Sequence, residues 1–262
     1  MRALHTAATG MMAQELNVQV ISNNIANMRT TGYKRQRAEF QDLLYEQARR
    51  VGTPSSAQGT IVPAGVEIGS GVKTVGTPRI MTQGPLTQSG KEYDIAIRGE
   101  GFFQIQMPDG RTAYTRDGSF ELDEQGRLVT VNGHIVQPGI TVPQNASGFS
   151  VNAQGQVFVT PVGATNPTQI GQIELAAFIN KAGLQSIGDN LYLETAASGT
   201  PQNGQPNTQG FGNLLQGSLE QANVEAVSEI SDLIAAQRAY EMNAKVISAT
   251  DQMLQSTATM LR

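Results

Sequence analysis

Counted in sevens from Leu4, the first part of the chain carries two apolar rows. Leu4, Met11, Val18 and Ile25 share one heptad position; Ala7, Gln14, Ile21 and Met28 share the position three later. Only Gln14 breaks the pattern. Consecutive heptads favour helix-on-helix packing of the coiled-coil kind, and residues 3 to 28 predict a helix about 39 Å long. The far end repeats the pattern. Leu219, Ala226, Leu233, Tyr240, Ile247, Leu254 and Leu261 recur every seventh residue, Ile230, Ala244 and Ala258 add a partial second row, and no Pro or Gly interrupts residues 218 to 262. This predicts a second helix about 66 Å long. Val227, Ile234, Val246, Met253 and Met260 lie off its main row. One antiparallel partner covers a single stripe, so these side chains require further helices, and one copy of the chain offers none.

Between these ends the period shortens to two. Residues 91 to 139, KEYDIAIRGEGFFQIQMPDGRTAYTRDGSFELDEQGRLVTVNGHIVQPG, alternate apolar and polar side chains between turn signals at Pro108-Asp109-Gly110, Asp117-Gly118, Gln125-Gly126 and Asn132-Gly133. That punctuation predicts a meander of short antiparallel strands. It continues through residues 149–161, 169–180 and 190–195. Residues 51–90 are rich in Gly, Pro, Ser and Thr, and residues 196–217 in Gly, Asn, Gln and Pro, so both read as extended links. The expected class is α+β. Residues 1–30 form an N-terminal helix, 31–90 a connector with an extended arm, 91–195 a central all-β domain, 196–217 a return connector and 218–262 a C-terminal helix. The two helices are expected to pair as one coiled-coil-like module.

Composition narrows the partners. Only 15% of the 262 residues are charged, against roughly 25% in typical globular domains. Gln, Asn, Thr, Ser and Gly take their place, giving a polar surface that is cheaper to desolvate against a protein partner. The net charge of −4 argues against a nucleic-acid footprint. With no cysteine there is no disulfide, thiolate metal site or Cys nucleophile. No stretch approaches the roughly 18 to 20 apolar residues of a membrane span. Residues 1 to 17 lack the apolar core of a secretory leader, so export, if it occurs, is expected without a cleaved signal peptide.

Catalytic raw material is scarce. His5 and His134 are the only histidines and fall in different predicted modules. Gly99-Glu100-Gly101-Phe102-Phe103 lacks the third glycine and following helix of a dinucleotide site, and reads as a tight turn into a strand. Asp109, Asp117 and Asp123 do not have calcium-loop spacing and sit in turn signals. Nothing in the sequence selects Glu92, Asp94 and Glu100 as a glycosidase pair. The basic patch Lys34, Arg35 and Arg37, followed by Arg49 and Arg50, has two readings. It is a set of favourable charges near a helix C-terminus, or a surface pairing with an acidic face of a neighbouring subunit.

Several stretches together resemble one family. Asn23-Asn24, Ala26-Asn27, Thr30 and Gly32-Tyr33-Lys34-Arg35 resemble the amino-terminal signature of bacterial flagellar axial proteins, the rod and hook subunits. DLIAAQRAYEMNAKVISATDQML (232–254) resembles their carboxy-terminal signature, and DIAIRGEGFFQI (94–105) and YTRDGSFELDEQGRLVTVNG (114–133) their shared β domain. Chain length and the stretch 40–72 favour the distal rod type over the proximal rod and hook types. His5 departs from an aromatic position of the family, and Thr31 from a common Asn. The resemblance implies a structural protein without cofactor or metal. Its helices would form the inner layers of a hollow helical tube, with the β domain outside. It implies export through the flagellar type III apparatus, and a place in the basal body spanning periplasm to outer membrane. The implied partners are further copies of the chain, the proximal rod proteins, the hook protein and the surrounding P- and L-ring proteins.

Asparagines usually favour loops because their side chains compete with the backbone. Yet Ile25 and Met28 continue the apolar spacing through SNNIANMRTTGYKRQ (22–36). A helix buried among copies of itself can use uncharged amides to satisfy carbonyls near its end. Asn23, Asn24 and Asn27 are therefore expected to make intersubunit or capping hydrogen bonds, and Gly32 to supply the turn by which the chain leaves the tube wall. A closed oligomeric fibre displaying a β binding module, or a cell-wall hydrolase, remain alternatives on sequence alone.

Overall fold

The computed structural model describes residues 2–49, 64–163 and 166–260. Two long helices, α1 (Arg2–Ala26) and α2 (Ala226–Met260), enclose a β-rich middle in sequence, giving an α+β protein. The chain divides into two compact units, each assembled from distant segments. One comprises Met1–Ile25, Gln36–Pro78 and Glu225–Arg262; the other comprises Ala26–Arg35 and Arg79–Val224. Among the described residues no helix is long and apolar enough to cross a membrane.

In the first unit the helices pack side by side. Asn24 Nδ2 donates to Glu229 Oε2 at 3.1 Å, and a Cβ on Gly10 would stand 2.9 Å from Asn243 Nδ2. The step back from Asn24 to Gly10 matches the step forward from Glu229 to Asn243, so the helices run antiparallel in one register. Small and polar side chains line this seam. Glu229, Ala236 and Thr250 are the buried residues of α2, at heptad spacing with half-buried Asn243. Ile230, expected in the second row, is exposed instead. Both sides of the main row satisfy a three-four spacing, and the small or amide positions Gly10 and Asn24 of α1 select the polar side.

Helix α2 begins at Ala226, eight residues later than position 218. Ser218–Glu220 is a strand paired with Leu86–Gln88, so Leu219 belongs to a sheet and matches the heptad only by chance. Gln36–Pro78 contributes a two-stranded ribbon: Glu39–Asp42 pairs with Val72–Gly76, and Tyr45–Arg49 with Val66–Gly69. It lies against α1 through an Arg2–Glu46 ion pair of 2.7 Å, His5 Nδ1 3.3 Å from the Ser70 carbonyl, and Val72 N donating to Thr9 Oγ1. Within the 31–90 connector with its expected extended arm, residues 50–63 lie outside the described residues.

The second unit is built on a nine-stranded sheet. Its central strand Phe102–Gln106 pairs antiparallel with Thr112–Thr115, Ile135–Val136 and Leu175–Ala177. Both faces of that strand are covered. Phe103 and Ile105 enter the main core with Ile95, Ile97, Phe120 and Leu128, while Phe102 joins Tyr114, Phe178 and Tyr192 on the other side. A three-stranded sheet, Ala146–Val151, Gln156–Pro161 and Thr168–Gln172, adds Phe149, Val157 and Val159 to the main core. Gly118 permits this closeness: a Cβ there would lie 1.7 Å from the Ile95 carbonyl oxygen.

Candidate functional site

Of the charged side chains buried among the described residues of the second unit, Lys34 and Arg116 gather around one carboxylate, Glu220, while Asp94 lies apart from them. Glu220 is 1% exposed, as is Lys34. Lys34 Nζ donates to Glu220 Oε1 at 2.5 Å and to the Thr82 carbonyl at 2.9 Å. The backbone N–H of Gly84 donates to the same carboxylate oxygen at 2.9 Å, and Arg116 Nε pairs with Oε2 at 3.1 Å. The remaining guanidinium nitrogens of Arg116 donate to the carbonyls of Gly99 and Gly101, both at 2.8 Å. The Gly-x-Gly of the sequence is thus a cradle for an arginine. Burial pulls the Lys34 ammonium below its ordinary pKa, and the Glu220 charge opposes that pull. Arg116 is likewise lowered by burial and held up by Glu220. Removing Glu220 would leave both cations desolvated without compensation, whereas loss of one cation leaves the other paired with the carboxylate.

The cluster clamps two chain segments. Gly32 N donates to the Glu220 carbonyl at 2.8 Å, and Arg35 N to Asn223 Oδ1 at 2.7 Å. Asn223 Nδ2 donates to the carbonyls of Ile80 and Thr82, and Asn190 Nδ2 to that of Thr31. Gly32 has φ of +69°, and a Cβ there would stand 2.7 Å from Asp117 N. The segment that follows α1 and the segment that precedes α2 are therefore fastened side by side. No opening for a substrate is needed for this task.

The structure redistributes the residues named from sequence. Lys34 is not on a basic surface toward a neighbour but inside its own chain; a low-charge interior segment accepts it because Glu220 accompanies it. Arg35 is half-buried, and exposed Arg37 pairs with Glu39 at 2.6 Å. Asn24 is buried. It exchanges two hydrogen bonds with the backbone of Gln36, at 2.9 and 3.0 Å, besides its bond to Glu229. Asn27 Oδ1 accepts from Thr30 Oγ1 at 3.1 Å, and Asn23 lies on the exposed side of α1. Leu4, Met11, Val18 and Ile25 are half-buried, as are Met28, Leu219, Leu233 and Ile247, while Ile21 is buried. Tyr240 and Leu254 are exposed, and Leu261 lies outside the described residues. Sequence reasoning missed Glu220, Arg116 and Asn223. The one available signal was the Gly-x-Gly, whose two glycines have φ of +111° and +133°.

Around α2 the apolar surface is open. Val227 is 78% exposed and Met253 60%, and Ile230, Ile234 and Val246 are also exposed. Such a helix is unfinished without partners. No group of three or more His, Asp or Glu side chains among the described residues is placed to hold a metal ion.

Comparison with known proteins supplies the context. Residues 4–34 match the family described as "Flagella basal body rod protein". Residues 96–159 match "Flagellar hook protein FlgE/F/G D1 domain", and residues 215–260 match "Flagellar basal body rod FlgEFG protein C-terminal". The flagellar basal-body rod protein FlgG of Caulobacter vibrioides is 57% identical over 258 residues, 98% of each chain. That of Agrobacterium fabrum is 51% identical over 253 residues, 97% of each chain. The chain belongs to the flagellar basal-body rod protein FlgG family. Identity to the FlgF rod protein of Caulobacter vibrioides is lower, 33% over 265 residues, 99% of this chain and 97% of that one. Like its FlgG relatives, this rod subunit is a structural component of the flagellar distal rod. Its Lys34 ends the first matched segment, and Glu220 lies near the start of the last.

Proposed function

We propose that the rod subunit polymerises head to tail into a hollow helical tube that transmits torque from motor to hook. The helices pack in coiled-coil-like layers within the wall, and the β-rich unit lies outside. One observation carries this reading: α2 keeps apolar side chains exposed on several sides along its length, and copies of the same helix can cover them. An interface that joins two different patches does not close on itself, and so builds an open helix. The half-buried row Leu4, Met11, Val18 and Ile25 belongs to that packing. The ribbon at 39–49 and 66–76 braces adjacent subunits; its strands are exposed along most of their length and carry Tyr45, Val66 and Ile68. A two-stranded ribbon is marginal alone and gains from such a contact.

The family resemblance supports the remaining assignments. Neighbours are the proximal rod proteins, the hook protein and the P- and L-ring proteins, and the subunit reaches the periplasm through the flagellar type III apparatus. Electron microscopy of the purified chain across a concentration series tests the polymer reading. Straight tubes from the full chain, lost in an Ile234→Asp/Met253→Asp variant, are expected. Discrete closed particles would favour the fibre alternative and overturn it.

A further inference from the structure

Four charges on the helix pair stand without an ion pair or hydrogen bond to any other described residue: Glu15 on α1 and Glu241, Arg238 and Lys245 on α2. Glu15 stands apart on α1, whereas Glu241 lies three residues from Arg238 and four from Lys245 on one side of α2. The two acids line a notch between α1 and α2 of about 400 Å³, together with Val18, Gln19, Gln237 and Tyr240. That is more than ten times the roughly 30 Å³ share of one liquid water molecule, so side chains fit. The two bases lie a heptad apart, on the side of α2 turned away from α1. Met242, 60% exposed, and Ile234 stand four residues from Arg238 on the same stripe. The notch thus carries one acid on each helix, with Glu241 at the edge that borders the basic stripe.

We propose that this notch is the socket for the Arg238–Lys245 stripe of a second copy of the chain. The proposal rests on the polymer reading above and names its contact. Tyr240 and Val18 receive the apolar stems, and Glu15 and Glu241 meet the two cations. A guanidinium suits the place because it can stack on a tyrosine ring while its fork meets a carboxylate. Notch and stripe are different patches on one subunit, so each docking leaves a fresh notch and a fresh stripe exposed and growth continues.

The test measures the critical concentration for polymerisation of the full chain by light scattering. Glu15→Lys is the cleanest probe, because no charged residue stands three or four positions from it on α1. It is expected to raise the critical concentration roughly fivefold or more, as is the Arg238→Glu/Lys245→Glu pair. A chain carrying Glu15→Lys, Glu241→Lys, Arg238→Glu and Lys245→Glu is expected to return to within about twofold of the wild type. Circular dichroism below the critical concentration must show equal helix content in all variants, since Glu241 also neighbours Arg238 and Lys245 along the helix. Wild-type tubes with a critical concentration unmoved by either reversal would remove the pairing alone. So would reversals that impair assembly without rescue in the combined chain. A wild-type chain that never polymerises would remove the reading beneath it, and the pairing with it.

Discussion

Glu220 is the residue on which the second unit turns. Its carboxylate is wholly buried between two cations and a backbone donor. Glu220→Gln, nearly the same shape, is expected to destabilise that unit by about 3–5 kcal/mol, because Lys34 and Arg116 lose their counter-charge where no water can replace it. Lys34→Met should cost less, about 1–3 kcal/mol, since Arg116 and Gly84 still satisfy the carboxylate. Urea denaturation of the two variants checks the order, and a smaller loss for Glu220→Gln would refute it. Asp117 gives a second case, with a pH signature. Burial raises its carboxyl above the usual 3.8, against the pull of hydrogen bonds from Ser119. The fold thus favours the protonated form. That contribution is fully present below 3.8 and is lost as pH climbs through the folded value. Asp117→Asn keeps an acceptor for the Ser119 N–H and hydroxyl and escapes the titration. Its melting temperature relative to wild type should therefore rise between about pH 3 and pH 7. Asp117 was legible as a turn residue, but Glu220 could not have been picked from sequence. A buried acid announces itself only through partners far away in the chain, here 186 residues from Lys34.

At the scale of elements, strands were more legible than helix faces. Between Asp94 and Gly133 the turn residues and the two-residue alternation mark the strands well, because a half-buried strand must alternate and a tight turn needs Gly, Asn or Asp. The helices were found but their inner faces were misjudged. An apolar count finds Ile230 and passes over Glu229, Ala236, Asn243 and Thr250, which fill the seam because small and hydrogen-bonded side chains let α1 approach. The start of α2 was misplaced for a related reason: Leu219 keeps the heptad while its neighbours serve a sheet and an ion cluster. The seam makes a prediction of its own. Gly10→Leu would press a side chain into Asn243, and should weaken helix pairing and tube formation while the melting of the second unit stays within about 0.5 kcal/mol of wild type. Calorimetry beside electron microscopy separates the two effects. Loss of the second unit's transition would contradict the division into units.

For the whole molecule, protection should be uneven until partners arrive. The last part of α2, from Asp251 to Met260, is exposed throughout, and a helix without tertiary packing holds its hydrogen bonds weakly. In the monomer its amides should exchange fast while those of Ile95–Arg98 and Phe102–Gln106 exchange slowly; in tubes both sets should be slow. Fast exchange persisting in tubes would show that this stretch takes no part in the wall.

The clamp at Glu220 has a mechanical consequence. The chain enters the second unit at Ala26, returns to the first after Arg35, re-enters at Arg79 and leaves by Val224, and the incoming strand at 32–35 and the outgoing strand at 220–223 are fastened to each other. Load arriving along the backbone from either helix is handed from one strand to the other through the ion pair and its flanking hydrogen bonds. Arg116, the residue after the strand Thr112–Thr115, ties that clamp to the nine-stranded sheet. A pull on either end of the chain would therefore be felt by the β-rich core through Glu220, and the same carboxylate that balances two buried cations would serve as the knot between incoming and outgoing chain.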